Sequence, residues 1–513
     1  GTWTRVAVTV RTLGIPFSGD VGILAGPWQN FRQRIEVPAR TEQRVFVPVF
    51  FSGPASAVRV RVLLPGRPAP LYDSVVRVSA KPIPAEAFFV LVDLELPEPI
   101  RNRFAETART ASAGAVAKEV VFCAARLAEF PDRPEYLVAY DAVLLSQSAQ
   151  SQRKDTAAVD AALKLYAEQG GLLLCADAGG LPAGFEAATA KAMRAWPPQP
   201  FAGARALFDI EAWPKHLADR IVYVTLAFAL ALAAVLLVFV RTASSSSAPV
   251  RLRGALSSLI PVVVGIVGAM PAYFLQTSLP LQTNSVSAFC TYERGLGRLT
   301  TDSVFLIAAQ RNCALSCGNS SPNWLVPVAT GPDPAPMTVA FSLGLEQEFS
   351  RQNATAGDWI LLAQRTREKT EAAGPIEFIK VFAPATQGDD FPAQFVSLAI
   401  KNKSQQPLDG MLVVEGRSAW PLQRVAAGEM VRLRDHAQPR TGIDNFIDGM
   451  RIRDGESAER ARQLDHWRRA QKGPLRPALV FWPGLPSKNP PEWPLRGGFD
   501  SSERMSTMWV VSP

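Results

Sequence analysis

Cys175 closes a short apolar run, Leu172-Leu-Leu-Cys175, and so stands where a strand passes into the next segment. A cysteine in that position can attack an acyl carbon. It needs a tight elbow of the form Gly-x-Cys-x-Gly to expose the sulfur, and a histidine, held by an acid, to take its proton. Here the neighbours are Leu173, Leu174, Ala176 and Asp177, and residues 1–215 contain no histidine. A thiol with a reference pKa of about 8.5 and no base beside it stays mostly protonated at neutral pH. Cys175 therefore reads as a buried strand residue in a domain without catalytic residues.

The other reactive residues fare no better as chemistry. His216 is the first histidine, and His436 and His466 lie far apart, without the spacing of metal ligands. Gly295-Leu-Gly-Arg-Leu299 and Gly179-Gly-Leu-Pro-Ala-Gly184 lack the lysine and the strand-to-helix setting of a phosphate loop. Cys313-Ala-Leu-Ser-Cys317 has no second cysteine pair and no nearby histidine, so a metal is not expected. In an oxidising compartment a disulfide among Cys290, Cys313 and Cys317 is expected instead. No catalytic residue, cofactor site or metal site is assigned.

These residues must be held by several domains, because 513 residues exceed one ordinary domain. With 48% hydrophobic and 19% charged residues, the chain can bury sizeable cores. The net charge of +8 comes without a dense basic stripe interleaved with aromatics, which excludes nucleic acid as the expected partner. Residues 1–82 alternate as half-buried strands do, in Arg5-Val-Ala-Val-Thr-Val-Arg11, Gln43-Arg-Val-Phe-Val-Pro-Val49 and Val58-Arg-Val-Arg-Val-Leu63. Turn residues between them point to an immunoglobulin-like β-sandwich. Residues 84–210 change pattern. Continuous apolar strands (Phe88-Phe-Val-Leu-Val-Asp93, Glu119-Val-Val-Phe-Cys123, Asp141-Ala-Val-Leu-Leu145, then the run ending at Cys175) alternate with helical stretches. That is the signature of a parallel sheet, here a flavodoxin-like α/β domain. From residue 283 to 513 strands return, as in Gln394-Phe-Val-Ser-Leu-Ala-Ile-Lys-Asn402, and predict a C-terminal β-sandwich region of two units with a charged helix between Asp454 and Gln471.

Between the domains lie two apolar runs. Residues 221–240 carry no charge, and residues 254–275 form a second run containing Pro261 and Pro271. Each is long enough for a transmembrane helix, and Arg220 and Arg241 bracket the first as snorkelling anchors would. The linker 241–253 adds Arg251 and Arg253 and holds no acid, which places it in the cytoplasm by the positive-inside rule. The expected architecture is a multidomain membrane protein: β-sandwich, α/β domain, two-helix transmembrane hairpin and C-terminal β-region. The expected place is a bacterial inner membrane, with the bulk of the chain periplasmic and the lipid bilayer as a partner. That arrangement requires a removed signal peptide or a further helix ahead of Gly1.

The order of parts, with Ile35-Glu-Val-Pro-Ala-Arg-Thr41, Phe130-Pro-Asp-Arg-Pro134, Tyr140-Asp-Ala-Val-Leu-Leu145 and the stretch Val396 to Val414 with its Asn402 and Leu408, resembles a group of uncharacterised bacterial membrane proteins. These carry a class I glutamine-amidotransferase-like domain outside the membrane. The resemblance implies an amidotransferase-like α/β domain and membrane or periplasmic protein partners; with the histidine and elbow glycines missing, that domain is expected to be catalytically inactive.

With chemistry set aside, the expected function is a non-enzymatic, membrane-anchored scaffold or accessory subunit of a bacterial envelope complex. The alternatives are an extracytoplasmic ligand- or stress-sensing regulator acting through the hairpin, and a hydrolase using acids such as Asp389 and Asp390. Trp482, Trp493 and Trp509, in an aromatic-rich tail, are the expected interface anchors.

Overall fold

The computed structural model describes residues 2–26, 29–51, 57–67, 69–77, 87–111, 119–137, 140–146, 157–168, 171–176, 180–194, 204–208, 282–294, 297–309, 312–319, 323–328, 336–355, 357–369, 376–381, 391–405, 407–452, 456–471, 475–482, 495–496 and 504–512, with scattered residues between Leu226 and Arg241. Strands dominate.

The expected transmembrane hairpin is overturned. Among the described residues no helix is long and apolar enough to cross a membrane. Crossing a hydrocarbon core of about 30 Å takes roughly 20 helical residues. The longest described helix, Glu456–Ala470, has 15 residues and is strongly charged. The expected membrane anchor and inner-membrane localisation fall with the hairpin. Within the first apolar run only Leu226, Ala227, Ala229, Leu230, Ala233, Ala234 and Leu237 are described, as helical residues, with Arg241 beyond them. The second run, 254–275, and the expected anchors Arg220, Arg251 and Arg253 lie outside the described residues.

Two large sheets form the β-body. Sheet I runs, in spatial order, through Leu495–Arg496, Cys313–Asn319, Gln347–Ala354, Met337–Phe341, Gln29–Val37, Phe17–Leu24, Ala57–Leu63 and Tyr72–Arg77. Its seam is the parallel pairing of Met337–Phe341 with Gln29–Val37, so that Val339 stands opposite Phe31. Gln33 Nε2 donates across the same seam to the Ser342 carbonyl at 2.9 Å. Strands of the unit expected over residues 1–82 thus pair with strands from the far half of the chain. They complete a sheet begun by residues beyond 312. The reason is physical: the apolar rows of Phe17–Leu24 and Gln29–Val37 are buried in a core that strands from the far half of the chain help to fill. Phe31, Val339, Phe349, Phe305, Ile307 and Leu362 share one core with Val47 and Val49 of the strand pair Thr2–Arg11 and Glu42–Phe51.

Sheet II has nine strands, centred on the long antiparallel pair Gln282–Glu293 and Arg298–Ala309 and on Arg504–Ser512, which lies parallel to Gln282–Glu293. Alternation along Gln282–Glu293 serves both faces. Val286 enters the core shared with sheet I, while Cys290 and Tyr292 enter a separate core with Val413 and Phe481. On the opposite face Phe289 packs with Leu464 and Ile447, which belong to the helices Glu456–Ala470 and Ile443–Arg451.

The α/β unit holds a four-stranded parallel sheet in the order Leu172–Ala176, Ala142–Ser146, Phe88–Asp93 and Val120–Ala125. Ala142–Ser146 is buried at every residue, which is why it reads as an unbroken apolar run. The helices Glu98–Ala111, Ala157–Glu168 and Phe185–Arg194 pack on it. The unit docks on the β-body through residues 126–137. Tyr136 enters the shared core and meets Trp324 edge-on at 5.3 Å. Arg133 lies over the Trp324 ring, and an Arg5 guanidinium donates to the Glu129 carbonyl.

Candidate functional site

The residues singled out for chemistry are placed as follows. Cys175 is half-buried on the edge strand Leu172–Ala176 of the parallel sheet, opposite Leu145 and packed among Leu163 and Tyr166. His466 is buried on the helix Glu456–Ala470, its ring 5.5 Å from that of Phe289, and His436 lies in a turn whose carbonyl accepts the Gln423 N–H. His216, Asp389 and Asp390 lie outside the described residues. Among the described residues no group of three or more His, Cys, Asp or Glu could hold a metal ion.

The switch point of the parallel sheet, where ligands of open α/β sheets bind, falls between Phe88–Asp93 and Ala142–Ser146. Asp93 ends the first of these strands and is buried. Its Oδ1 accepts the Glu95 N–H at 3.2 Å and its Oδ2 accepts the Ser146 N–H at 3.3 Å. Both carboxylate oxygens are thus engaged by backbone donors, so Asp93 pins the loop that follows it to the neighbouring strand.

The expected disulfide is not formed. No disulfide joins Cys290, Cys313 and Cys317. Cys317 lies on sheet I in the shared core, whereas Cys290 lies on sheet II in a different core, bonded to the Thr301 hydroxyl. Cys313 and Cys317 sit on one strand. Burial raises both buried thiols, Cys290 to about 11.

The tryptophans chosen as interface anchors divide. Trp482 is core, 2% exposed. Its indole N–H donates to Gln463 Oε1 at 2.8 Å, and Gln463 Nε2 donates to Ser287 Oγ at 2.8 Å, which ties the helix Glu456–Ala470 to sheet II. Trp509 is half-buried and stacked on Phe481. Trp493 lies outside the described residues.

The surface feature that stands out was not singled out in the sequence. The strand Tyr72–Arg77 ends sheet I, and among the described residues nothing pairs with its outer edge. It follows Ala57–Leu63 through a hairpin in which Gly66 takes a left-handed conformation, φ 72°. Leu71, Tyr72, Val75 and Val76 are 47–61% exposed, Val75 most of all. An outermost strand offers a row of backbone N–H and C=O groups without partners, a template for a further strand.

Register assigns its two faces. Val75 lies in a row with Arg59, Leu24 and Asn30, and Asp73 in a row with Arg61, Gly22 and Arg32. Ser74 lies in the intervening row with the buried Val60, Ile23 and Phe31. Asp73, Val75 and Arg77 therefore face outward, while Tyr72, Ser74 and Val76 extend the core-facing side. Asp73 accepts two hydrogen bonds from Arg59, at 2.5 and 2.8 Å, and one from Arg61 at 3.2 Å. The bond from Arg59 holds the Asp73 carboxyl below the usual carboxylate range. The sequence signal for this strand was the pair Val75-Val76 after a turn, which looks the same in a central strand as in an outermost one.

No family model matches the chain, and no curated protein does. Among solved structures it is similar to the yeast delta-COP-I mu-homology domain complexed with a Dsl1 WxWxV peptide, at 9% identity over 45% of this chain and 96% of that chain. The TM-score of 0.25 makes this likeness too slight to carry an argument about fold or function.

Proposed function

We propose that the chain is a non-enzymatic scaffold or accessory subunit of a protein assembly, and that it docks a partner by strand addition at Tyr72–Arg77. The observation that supports this reading is the open outer edge of that strand, with its exposed apolar side chains. Strand addition draws affinity from backbone hydrogen bonds and specificity from alternate side chains.

Proline substitution tests it. Along a strand the backbone N–H groups point alternately to either side, so of Ser74 and Val75 one donates toward Ala57–Leu63 and the other points outward. Ser74→Pro and Val75→Pro are made separately in the full chain, which is then isolated from its native source and its stoichiometric companions identified by mass spectrometry. The variant that keeps the parent melting temperature has lost only the outward donor. That variant is expected to lose a companion that the parent retains. A chain that isolates alone, or a companion unaffected by the stable variant, overturns the reading.

A further inference from the structure

We infer that the segment received at this edge is an extended stretch of a partner protein in which apolar and acidic residues alternate. The inference rests on the docking reading above and adds the chemistry of the occupant.

An added strand would lie about 4.8 Å from Tyr72–Arg77, with successive side chains on opposite faces. On one face its side chains meet Tyr72 and Val76, which are 53% and 47% exposed and continue the row system of the buried Val58 and Val60. Apolar residues there would bury those two side chains and extend the core. On the other face they meet Val75 and Arg77, with Arg59 and Arg61 one strand further in.

That outer face carries a surplus of positive charge. On the four strands from Gln29–Val37 out to Tyr72–Arg77, Arg32, Arg34, Arg59, Arg61 and Arg77 share it with Asp20, Glu36 and Asp73, while Glu348 lies in the same row on the far side of Met337–Phe341. Asp73 is taken up by Arg59 and Arg61, and Asp20 lies 3.6 Å from Arg34. The outermost cation, Arg77, is exposed on the strand itself, next to where the new side chains would stand. Opposite charges across adjacent strands stabilise a pair and like charges oppose it. An acidic residue at every second position therefore suits this face.

The same facts weigh against other occupants. A second copy of the chain would bring its own arginine surplus against this one. Nucleic acid would meet arginines, but the outer rows Asn30, Leu24, Arg59, Val75 and Arg32, Gly22, Arg61, Asp73 hold no aromatic ring on which a base could stack.

The test uses the full chain and labelled eight-residue peptides with Glu-Val, Lys-Val and Thr-Val repeats, with an oligothymidylate as the nucleic-acid probe, read by fluorescence anisotropy at low and high salt. The Glu-Val peptide is expected to bind at least about tenfold more tightly than the Lys-Val peptide, with a preference that shrinks as salt rises. Arg77→Glu is expected to reverse the preference, a gain of Lys-Val binding that a misfolded variant would not show. The stable proline variant is expected to bind neither peptide. Equal binding of all three peptides overturns the acidic partner while leaving strand addition standing. Glu-Val binding that survives the proline substitution, oligothymidylate binding in place of peptide binding, or the absence of peptide binding also overturns the inference. The proposed scaffold function stands or falls separately, on the companion lost or kept by the proline variant.

Discussion

Replacing Phe31 by alanine removes a fully buried ring at the seam where Gln29–Val37 meets Met337–Phe341. The ring lies 5.8 Å from that of Trp3 and opposite Val339. Truncating a buried phenylalanine costs about 3–5 kcal/mol, through lost burial and the cavity left behind. Because strands from both ends of the chain share this core, the cost should appear in both. Hydrogen exchange with peptide-level readout is the assay, since exchange from protected strands reports the free energy of opening. The strand Gln347–Ala354, on the far side of the seam, and the strand Trp359–Lys369 of sheet II, whose Ile360 and Leu362 enter the same core, should exchange about two to four powers of ten faster in Phe31→Ala. The parallel sheet of the α/β unit, whose core does not include Phe31, should change less. Faster exchange confined to residues 2–77 would refute the shared core and restore an independent N-terminal sandwich.

Gln463→Leu leaves the Trp482 indole N–H and the Ser287 hydroxyl without the partner that joins them, and should cost about 2–4 kcal/mol in urea titration. Adding Trp482→Phe should recover part of that loss, because it removes the orphaned donor. Arg365→Leu leaves the Asp302 carboxylate, 6% exposed, without its guanidinium and should cost about 3–5 kcal/mol; the double replacement with Asp302→Leu should be much milder. Cys290 gives a pH dependence. Its folded thiol titrates near 11, above the value of about 8.5 for an unfolded cysteine. The unfolded chain therefore loses its proton first, so this contribution is fully present below about 8.5 and is lost as pH rises toward 11. Stability of the parent against Cys290→Ser, measured across that window, should converge as pH rises; a constant difference would show that the thiol does not titrate this way.

Local patterns were legible, and long-range pairing was not. The alternation in Val58 to Leu63 lies within the strand Ala57–Leu63, and that in Arg5 to Arg11 within Thr2–Arg11. Just before Leu172, the Gly171 N–H closes on the Tyr166 carbonyl at 2.9 Å, as a glycine at a helix end does. A two-residue period says which face is buried and nothing about which strand buries it, so the contact between Gln33 and Ser342, 309 residues apart, left no mark. Hydropathy counts apolar residues without testing helix length, and among the described residues no helix is long and apolar enough to cross a membrane. The cysteine spacing suggested a staple because strand membership, with Cys290 and Cys317 on different sheets, is not visible in spacing. The candidate site escaped for a related reason. Val75-Val76 signals a strand, but position at the end of a sheet depends on what fails to pair with it.

The most direct measurement of the docking role is photo-crosslinking from a benzoylphenylalanine placed at Val75 of the full chain in its native cells, with the exposed Lys164 of the α/β unit as the comparison site. The account predicts a discrete protein adduct from Val75, absent from Lys164 and abolished by the proline variant that leaves the fold intact. No adduct from Val75, or the same adducts from both positions, would contradict it.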